Sequence, residues 1–395
     1  MGYQTIFVQI AAYRDPQLIP TLESMFSNAK WPERLKVCVA WQHTDEEAYQ
    51  LTWMRQYPQI KVLELPAELG RGACWARHLI QRCYNGETYT LQLDSHHRFA
   101  KHWDKTLISL YKELEQEAKK PLITAYLPAY HIDETQPWTQ DPWQMNADVV
   151  DENKIVLFRP GNIPMERRNK RWVRARFYSG HFAFTTGKFC VEVPHDPDLY
   201  FHGEEISISL RAFTKGYDLF HPTELIAWHE YTREGRVKHW DDNKSNTVDT
   251  WHLYDKASKR HWMHFLAHPN WGPFGLGHLR SKQDYEKFAA VNFKLGTFLE
   301  EARTEEPILQ DFKSIELDKD WLSDVQNLEF IAIVLVGEEN RDVSRRDLSR
   351  AELSDWLMSD KSMLEVQVSH DKPVTHAIVW PHYKTWDKTN QKINF

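Results

Sequence analysis

Short apolar runs alternate with amphipathic segments along roughly the first third of the chain. The apolar runs have the length of buried strands, and the segments between them place apolar residues at helical spacing. The predicted strands are residues 5–10, 35–41, 61–65, 91–93 and 122–127, and the predicted helices are residues 18–28, 73–84 and 103–117. This alternation is typical of an α/β fold with a mostly parallel sheet.

The pattern changes in roughly the last quarter of the chain. Three segments there have the composition of strands, and they are residues 329–336, 363–369 and 375–380. Ser349 is placed to cap a short helix that ends near Met358. We therefore predict two domains: an α/β domain of residues 1–305 and a small α+β accessory domain of residues 306–395, whose role stays open.

Composition and charge narrow the class of protein. With 395 residues, of which 42% are hydrophobic, the chain can bury a large core. The net charge of −7 argues against a nucleic-acid partner, because proteins that bind nucleic acids usually carry an excess of basic residues. No apolar run approaches the ~18 residues of a membrane span, and the amino terminus has no signal-peptide pattern. The four cysteines form no CxxC pair or paired framework, so we expect a cytoplasmic protein.

The segment that follows the predicted strand 91–93 carries the most informative residues. Asp94 and His96 are two residues apart, and a carboxylate and an imidazole in one turn can reach the same divalent cation. Ligands of open α/β sheets collect at the carboxyl ends of strands, where this turn lies. A turn with solvated side chains explains the tripeptide equally well. His229 follows the predicted strand 224–228 and can complete an Asp/His/His set, although a lone histidine is more often structural.

Two glycines, Gly70 and Gly72, precede the predicted helix 73–84. The segment lacks the Lys-Ser/Thr of a P-loop and the GxGxxG spacing of a dinucleotide site, so we reject both. A helix amino terminus still favours an anion, and Arg71 and Arg77 could add charge. A tight strand-to-helix turn accounts for the glycines equally well.

Glu204 and Glu205 begin another predicted helix. Two acids in a first turn suit the helix dipole, so helix stabilisation is the plain interpretation. Gly203 nevertheless removes a side chain beside the pair, which would let a sugar lie close. A two-carboxylate glycoside hydrolase is disfavoured, because adjacent helical residues diverge by about 100° and hydrolase carboxyls face each other ~5–10 Å apart.

Five segments in this order resemble the polypeptide (hydroxyproline-type) N-acetylglucosaminyltransferases, a retaining family with the GT-A fold. The segments are residues 94–99, 196–205, 216–218, 229–233 and 274–285. The Asp-x-His motif and the acidic helix also resemble those of the polypeptide N-acetylgalactosaminyltransferases. The resemblance covers about residues 1–300, and none is found beyond about residue 305.

The resemblance implies a GT-A nucleotide-sugar-binding catalytic domain that transfers N-acetylglucosamine from UDP-GlcNAc to a hydroxyl with retention. It implies Mn²⁺ or Mg²⁺ as the metal and Ser, Thr or hydroxyproline of a polypeptide as the acceptor, hence protein glycosylation. The implied metal ligands are Asp94, His96 and His229. The implied donor-binding residues are Tyr13, Arg14 and Asp15 in the uridine pocket, Gly70, Arg71, Gly72 and Arg77 near the uridine or ribose, and Ser95 beside the metal ligands.

Glu204 and Glu205 are then the candidate catalytic residues, which bind donor-sugar hydroxyls or orient the acceptor. Neither is expected to be a nucleophile, because retaining enzymes of this fold often use the leaving phosphate to accept the acceptor proton. Transfer of another UDP-sugar to a saccharide acceptor remains an alternative, and so does a non-catalytic nucleotide- or glycan-binding module. A complete Asp/His/His set argues against the binding module. The oligomeric state stays open.

Four further features of the sequence carry predictions of their own. A basic run binds an acidic acceptor or forms a solvated face, and it comprises Arg167, Arg168, Lys170, Arg171, Arg174 and Arg176. A second histidine group is interpreted as packing and surface residues, and it comprises His252, His261, His264 and His268. Residues 272–277 are a candidate lid over the donor. Long polar connections at residues 131–154 and 158–172 are candidate specificity insertions.

Overall fold

The computed structural model describes residues 4–132, 138–232, 236–239, 250–269, 272–384 and 389–395. The chain divides into two compact units. Unit 1 comprises Met1–Ser209, Tyr217–Ala267 and Ala290–Pro307, and unit 2 comprises Leu210–Gly216, His268–Ala289 and Ile308–Phe395.

The helices of the described residues follow the predicted order in the first part of the chain. Their bounds are α1 Leu18–Asn28, α2 Ala48–Met54, α3 Ala73–Gln81, α4 Trp103–Leu114, α5 Phe189–Glu192, α6 Glu204–Thr214, α7 Thr250–Ala267, α8 Lys282–Ala289, α9 Glu301–Thr304 and α10 Arg350–Met358. α4 buries Trp103, Leu107, Leu110 and Leu114, the residues that a helical period places on one face.

The first fourteen strands lie in unit 1. Their bounds are β1 Ile6–Tyr13, β2 Leu35–His43, β3 Ile60–Pro66, β4 Tyr89–Asp94, β5 His97–Phe99, β6 Pro121–Thr124, β7 Trp143–Val150, β8 Val156–Asn162, β9 Trp172–Ala175, β10 Phe182–Thr186, β11 Asp218–Pro222, β12 Ala227–His229, β13 Val291–Asn292 and β14 Thr297–Phe298. Eight of these strands form one sheet in the order β3-β2-β1-β4-β10-β6-β11-β9.

This large sheet confirms the predicted α/β class with a mostly parallel sheet. β1 pairs in parallel with β2 and β4, β2 with β3, and β6 with β11, whereas β10 and β9 run antiparallel to their neighbours. The central strands are buried on both faces; in β1, five consecutive residues from Ile6 to Ile10 are buried. A sheet covered on both sides is what parallel strands require.

The polar connections of the sequence analysis contain a hairpin, formed by β7 and β8. Residues 133–137 of the first connection lie outside the described residues. β7 alternates apolar and polar residues from Trp143 to Val149, which is the period of a half-buried strand, but this segment was interpreted in the sequence analysis as a polar connection. The hairpin matters for the site, since Asp148 and Phe158 line the main pocket.

Unit 2 is an α+β unit with a core of its own. Its strands are β15 Asp311–Asp318, β16 Leu328–Val336, β17 Asp342–Ser349, β18 Met363–His370, β19 His376–Tyr383 and β20 Gln391–Asn394. β17, β16, β19 and β20 form one sheet in that order, and β15 pairs with β18. The predicted cap is confirmed, because the Ser349 side chain accepts a hydrogen bond from the backbone N–H of Glu352 at the start of α10.

Within the described part of the chain, no helix combines the length and the apolar character that crossing a bilayer demands.

Candidate functional site

Three strands bring the predicted metal ligands together in unit 1. Asp94 is the last residue of β4, and the parallel register of β4 with β1 sets Ala11 beside it. β5, which follows the Asp-Ser-His turn, pairs antiparallel with β12 and aligns His97 with His229. This pairing places His229 next to a turn that lies 135 residues earlier in the chain.

The ligand atoms of Asp94, His96 and His229 lie within 4.8 Å of one another. Oδ2 of Asp94 is 3.4 Å from Nε2 of His229 and 3.7 Å from Nε2 of His96. The two imidazole rings are 4.7 Å apart between centroids. One carboxylate oxygen and two ring nitrogens therefore face a common point.

The charge states of this cluster fit a divalent cation. Burial alone would raise the pKa of Asp94, but the charge of Arg77 and the hydrogen bond with His229 bring it well below its ordinary value. Burial, together with the neighbouring imidazoles, lowers the pKa of His229 far below its ordinary value. An ionised carboxylate and a neutral imidazole are the forms that ligate metals. The donor set, one oxygen and two nitrogens with open positions, is compatible with Mn²⁺ or Mg²⁺.

Arg77 of α3 bridges two carboxylates at this site. Nη2 donates to Oδ1 of Asp94 at 2.5 Å, and Nη1 donates to both oxygens of Glu204 at 2.5 Å. Nδ1 of His195 lies 3.1 Å from Oε1 of Glu204. Burial raises the pKa of Glu204, yet Arg77 and His195 outweigh burial and bring the pKa down to about 2. Glu204 is therefore an ionised, ion-paired carboxylate.

Glu205 differs sharply from its neighbour. Burial raises the pKa of Glu205 to about 8, and the charge of Glu204 adds to the rise. The backbone N–H of Gly180 donates to Oε1 of Glu205 at 2.9 Å, which offsets part of it. Glu205 is therefore mostly a neutral carboxylic acid at pH 7 and can donate a hydrogen bond as well as accept one.

These residues line one pocket of about 550 Å³ in unit 1. The sequence-predicted residues that line it are Tyr13, Asp15, Gly72, Arg77, Asp94, Ser95, His96, Glu204, Glu205 and His229. Three predicted donor-binding residues, Arg14, Gly70 and Arg71, are not among its lining residues. The Arg14 side chain binds Glu46 and Glu47 instead.

Other lining residues were not singled out in the sequence. They include Tyr126, Asp148, Phe158, His181, Tyr200, Phe201, Arg236 and His239. They come from widely separated segments that share no motif, so local sequence carried no signal for them. The exceptions are Tyr200, Phe201 and Tyr231, which lie within the segments 196–205 and 229–233 of the family resemblance.

Gly72, at the amino terminus of α3, is required by the shape of the pocket wall. Its φ is +96°, a conformation that side chains rarely adopt. A Cβ at this position would lie 2.5 Å from the carbonyl oxygen of Tyr200. The glycine therefore allows α3 to begin directly against Tyr200.

Three residues of the basic run bind neighbouring groups of the fold. Arg171 binds Glu113 and Glu224, Arg168 binds Asp141, and the Arg176 guanidinium binds the carbonyl oxygen of Glu305. These contacts favour a structural role for the run over the binding of an acidic acceptor.

In the second histidine group, His261 lies 2.8 Å from Oδ2 of Asp196, and Asp198 is close to both. The hydrogen bond that His261 donates to Asp196 raises the pKa of His261, as expected of an ion pair. The lid at residues 272–277 stays a prediction.

The sheet with ligands at its strand ends defines an α/β protein with a candidate metal and nucleotide site. The family model described as "Glycosyltransferase (GlcNAc)" matches residues 5–58 and 47–295. The chain therefore belongs to this glycosyltransferase family, and its α/β architecture agrees with the GT-A fold that the resemblance implied. No curated protein matches the chain significantly in sequence.

Solved structures resemble the chain only distantly. A crystal structure of GalNAc-T7 with UDP, GalNAc and Mn²⁺ is 14% identical, with a TM-score of 0.49, over 96% of this chain and 72% of that one. S. aureus TarS 1–349 in complex with UDP-GlcNAc is 11% identical, with a TM-score of 0.38, over 66% and 73%. The mannosyltransferase PcManGT from Pyrobaculum calidifontis, with GDP-Man and Mn²⁺, is 10% identical, with a TM-score of 0.40, over 67% and 76%.

Proposed function

We propose that this protein is a metal-dependent glycosyltransferase that moves N-acetylglucosamine from UDP to a hydroxyl group with retention of the anomeric configuration. The proposed acceptor is a Ser, Thr or hydroxyproline side chain of a polypeptide. The Asp94/His96/His229 cluster, in a 550 Å³ pocket of a chain from the Glycosyltransferase (GlcNAc) family, carries the proposal. The polypeptide acceptor is supported by the sequence resemblance alone.

The proposed metal ligands are Asp94, His96 and His229. When bound there, Mn²⁺ or Mg²⁺ would supply positive charge that stabilises the diphosphate leaving group as its bond to the sugar breaks. Arg77 keeps Asp94 ionised and fixed in place, so the ligand set needs little rearrangement.

We place the UDP moiety at the side of the pocket formed by Tyr13 and the start of α3. The first N–H groups of a helix have no acceptor within the helix and favour an anion. Gly72 lets this helix end lie directly against Tyr200 in the pocket wall, and Tyr13 packs edge-on against the ring of His239 at 5.2 Å. An aromatic wall beside a helix amino terminus suits a nucleoside diphosphate.

We propose that Glu205 contacts the donor sugar as a hydrogen-bond donor. In its neutral form it can donate to a sugar hydroxyl or to the carbonyl of an N-acetyl group. Glu204, in the same turn of α6, has a different role. Both oxygens of its carboxylate accept from Arg77, so the carboxylate is not free to act as a nucleophile.

Retention is supported by the state of the carboxylates in the pocket. An inverting transfer needs a general base beside the acceptor. Asp94 is a proposed metal ligand, Glu204 is ion-paired and Glu205 is protonated near neutral pH. None of these three carboxyl groups can therefore act as the general base. We propose that the leaving phosphate accepts the proton of the acceptor hydroxyl instead.

One lining carboxylate, Asp148 on β7, gives a second candidate reaction. It is half-exposed, and its carboxylate lies 3.8 Å from Nε of Arg159. A loosely paired carboxylate of this kind can serve as a general base, so inverting transfer with Asp148 as the base is the alternative.

The test of the proposed function is UDP release from a panel of UDP-sugars, each with Mn²⁺ and with EDTA. The proposal predicts metal-dependent release that is fastest with UDP-GlcNAc. Release that is indifferent to EDTA, or no UDP binding with Mn²⁺, would contradict it.

The anomeric configuration of the product separates the two reactions. Proton NMR of the early product shows the α-anomer if configuration is retained and the β-anomer if it is inverted, because the donor is α-linked. The variant Asp148→Asn should then keep kcat within about tenfold of the wild type, whereas loss of a general base costs about 10²–10⁴-fold.

A further inference from the structure

We propose that Asp15 is a positioning residue that orients the metal ligand His96. The inference rests on the proposed metal site and assigns to Asp15 a role other than contact with the uridine base. It follows from four hydrogen-bond partners of one carboxylate and from the way the chain presents that carboxylate.

The two oxygens of Asp15 are already used by protein groups. Oδ2 is 2.8 Å from Nδ1 of His96 and accepts from the hydroxyl of Ser95 at 2.7 Å. The same oxygen lies 3.3 Å from Nη1 of Arg236, and Oδ1 accepts from the backbone N–H of Gln17 at 2.8 Å. The residue is 3% exposed, so little of it can meet a nucleotide base.

The contact with His96 determines which ring nitrogen is available for a metal. An ionised carboxylate can only accept a hydrogen bond, so Nδ1 of His96 must be the donor and carry the proton. Nε2 then presents its lone pair. Nε2 is the atom that lies 3.7 Å from Oδ2 of Asp94. Asp15, His96 and the metal position therefore form the carboxylate–histidine–metal arrangement that fixes ligating histidines in proteins.

This arrangement also explains the middle residue of the Asp94-Ser95-His96 turn. The Ser95 hydroxyl is buried and donates to the same oxygen of Asp15 that receives Nδ1–H of His96. Ser95 thereby holds the carboxylate in line with the imidazole. A small hydroxyl side chain fits between the two proposed ligands, Asp94 and His96. This role of Ser95 requires no contact with UDP.

The backbone around Asp15 is built to present the carboxylate inward. Arg14, directly before it, has a φ of 45°, an uncommon value for a non-glycine residue. The Arg14 side chain is anchored to Glu46 and Glu47, and Nε2 of Gln50 donates to the carbonyl oxygen of Asp15 at 2.8 Å. These contacts stabilise an unusual backbone turn. A carboxylate that only faced solvent would not require such a turn.

The test measures two affinities in the full chain with Asp15→Ala and Asp15→Asn. Mn²⁺ binding at saturating UDP is followed by the EPR signal of free Mn²⁺, and UDP binding in EDTA is followed by calorimetry. We expect Asp15→Ala to raise the Kd for Mn²⁺ about 10–100-fold and to leave UDP binding in EDTA unchanged. Asp15→Asn keeps an acceptor for Nδ1–H, so its Kd should lie between those of the wild type and Asp15→Ala.

The opposite pattern would overturn the inference. If Asp15 contacts the uridine base, UDP binding in EDTA weakens in Asp15→Ala while Mn²⁺ affinity at saturating UDP is kept. A wild-type chain that binds no Mn²⁺ at all would instead contradict the proposed function, and with it the inference.

A double-mutant cycle separates positioning from general loss of structure. In a His96→Ala background, Asp15→Ala should weaken Mn²⁺ binding by no more than about twofold, because the ligand it orients is gone. Pulsed EPR of bound Mn²⁺ should show two coupled imidazole nitrogens in the wild type and one in Asp15→Ala. An additive cycle would contradict the inference.

Asp104→Ala is the matched control, since Asp104 is an equally buried aspartate of unit 1 whose oxygens accept from the backbone N–H groups of Lys30 and Trp31. It should lower stability and leave the Kd for Mn²⁺ unchanged.

Discussion

The two units each contain a polar cavity of similar size, and the cavities differ in how their polar groups are satisfied. The cavity of unit 2, about 600 Å³, is lined by charged residues that bind one another. Arg346 donates to the carbonyl oxygens of His278, Leu279 and Gln367 and to Glu352. In the pocket of unit 1, about 550 Å³, three ligand atoms converge instead and a protonated carboxyl lines the wall.

The comparison teaches that volume and charge do not by themselves define a reactive site. In unit 2 the guanidinium group of Arg346 binds the carboxylate of Glu352 and three carbonyl oxygens, and these contacts stabilise the fold. In unit 1 the ion pairs set the charge of groups that still face the pocket, as Arg77 does for Asp94. We therefore expect equivalent substitutions in the two cavities to differ in their effect on activity.

The largest effect is expected for Asp94→Ala, compared with Asp347→Ala in the unit 2 cavity. Loss of the proposed metal ligand should lower kcat/KM for transfer by at least about 10³-fold, because metal stabilisation of the leaving group is worth several kcal/mol. Asp347 is half-exposed and pairs with Arg345, so its removal should leave kcat/KM within about twofold. Steady-state kinetics with UDP-GlcNAc measure both, and equal losses would remove the distinction between the cavities.

The next effect concerns the ion-paired glutamates, Glu204 in unit 1 and Glu352 in unit 2. Glu204→Gln leaves the buried Arg77 with one carboxylate partner, so the free energy of unfolding should fall by about 3 kcal/mol and activity should fall with it. In Glu352→Gln, Arg346 keeps its three carbonyl acceptors, and we expect a loss of about 1 kcal/mol without loss of activity. Denaturant unfolding gives both values; a Glu204→Gln enzyme of full activity would contradict the account.

The third effect is the pH dependence of stability that Glu205 contributes in unit 1. Its pKa is raised from 4.5 to about 8 in the folded state, so the folded chain holds a proton there that the unfolded chain releases. Its contribution to stability is therefore present in full below about pH 4.5 and is lost as the pH rises to about 8, with a slope of at most about 1.4 kcal/mol per pH unit.

Glu205→Gln, which copies the neutral acid, should remove this slope. The stability of the variant relative to the wild type should therefore increase as the pH rises from 5 to 8. The variant should also remove the fall in kcat/KM that we expect for the wild type above pH 8. Parallel stability curves of the two proteins between pH 5 and 8 would show that Glu205 is ionised when folded.

The smallest effect compares two glycines with equally close neighbours. A Cβ on Gly72 would lie 2.5 Å from the carbonyl oxygen of Tyr200, and one on Gly277, which lines the unit 2 cavity, 2.5 Å from that of Thr214. Both alanine variants should lose about 1–3 kcal/mol of stability. Gly72→Ala alone should weaken UDP binding, measured by calorimetry at a temperature where both variants are folded, and a similar loss in Gly277→Ala would contradict the role given to Gly72.

The sequence was sufficient for β1 to β4 and β6 of the large sheet and for the residues at strand ends, but it did not predict β9 or β11 of the same sheet. Apolar runs gave the central strands, and Asp94 and His229 were recognisable because each ends a strand. Edge strands such as β17 and β20 were missed, since strands at a sheet edge carry the charged residues that obscure a strand pattern.

The partners of the site residues could not be read from local sequence. Arg77 and Glu204 are 127 residues apart, and Asp15 and His96 are 81 apart. Their pairing depends on strand order and register, which a motif does not encode. Arg14 was expected in the pocket beside Asp15, but its side chain binds Glu46 and Glu47, and of these two neighbours Asp15 alone lines the pocket.

The central claim is that Asp94, His96 and His229 hold one divalent cation against the diphosphate of the donor. A crystal structure of the chain with UDP and Mn²⁺, with anomalous data collected at the manganese edge, tests this claim most directly. We predict one anomalous peak at about 2.0–2.3 Å from Oδ2 of Asp94 and from a ring nitrogen of each histidine, with diphosphate oxygens completing the ligand set. A peak beside Asp196, Asp198 and His261 instead, or bound UDP without a peak among the three ligands, would contradict the account.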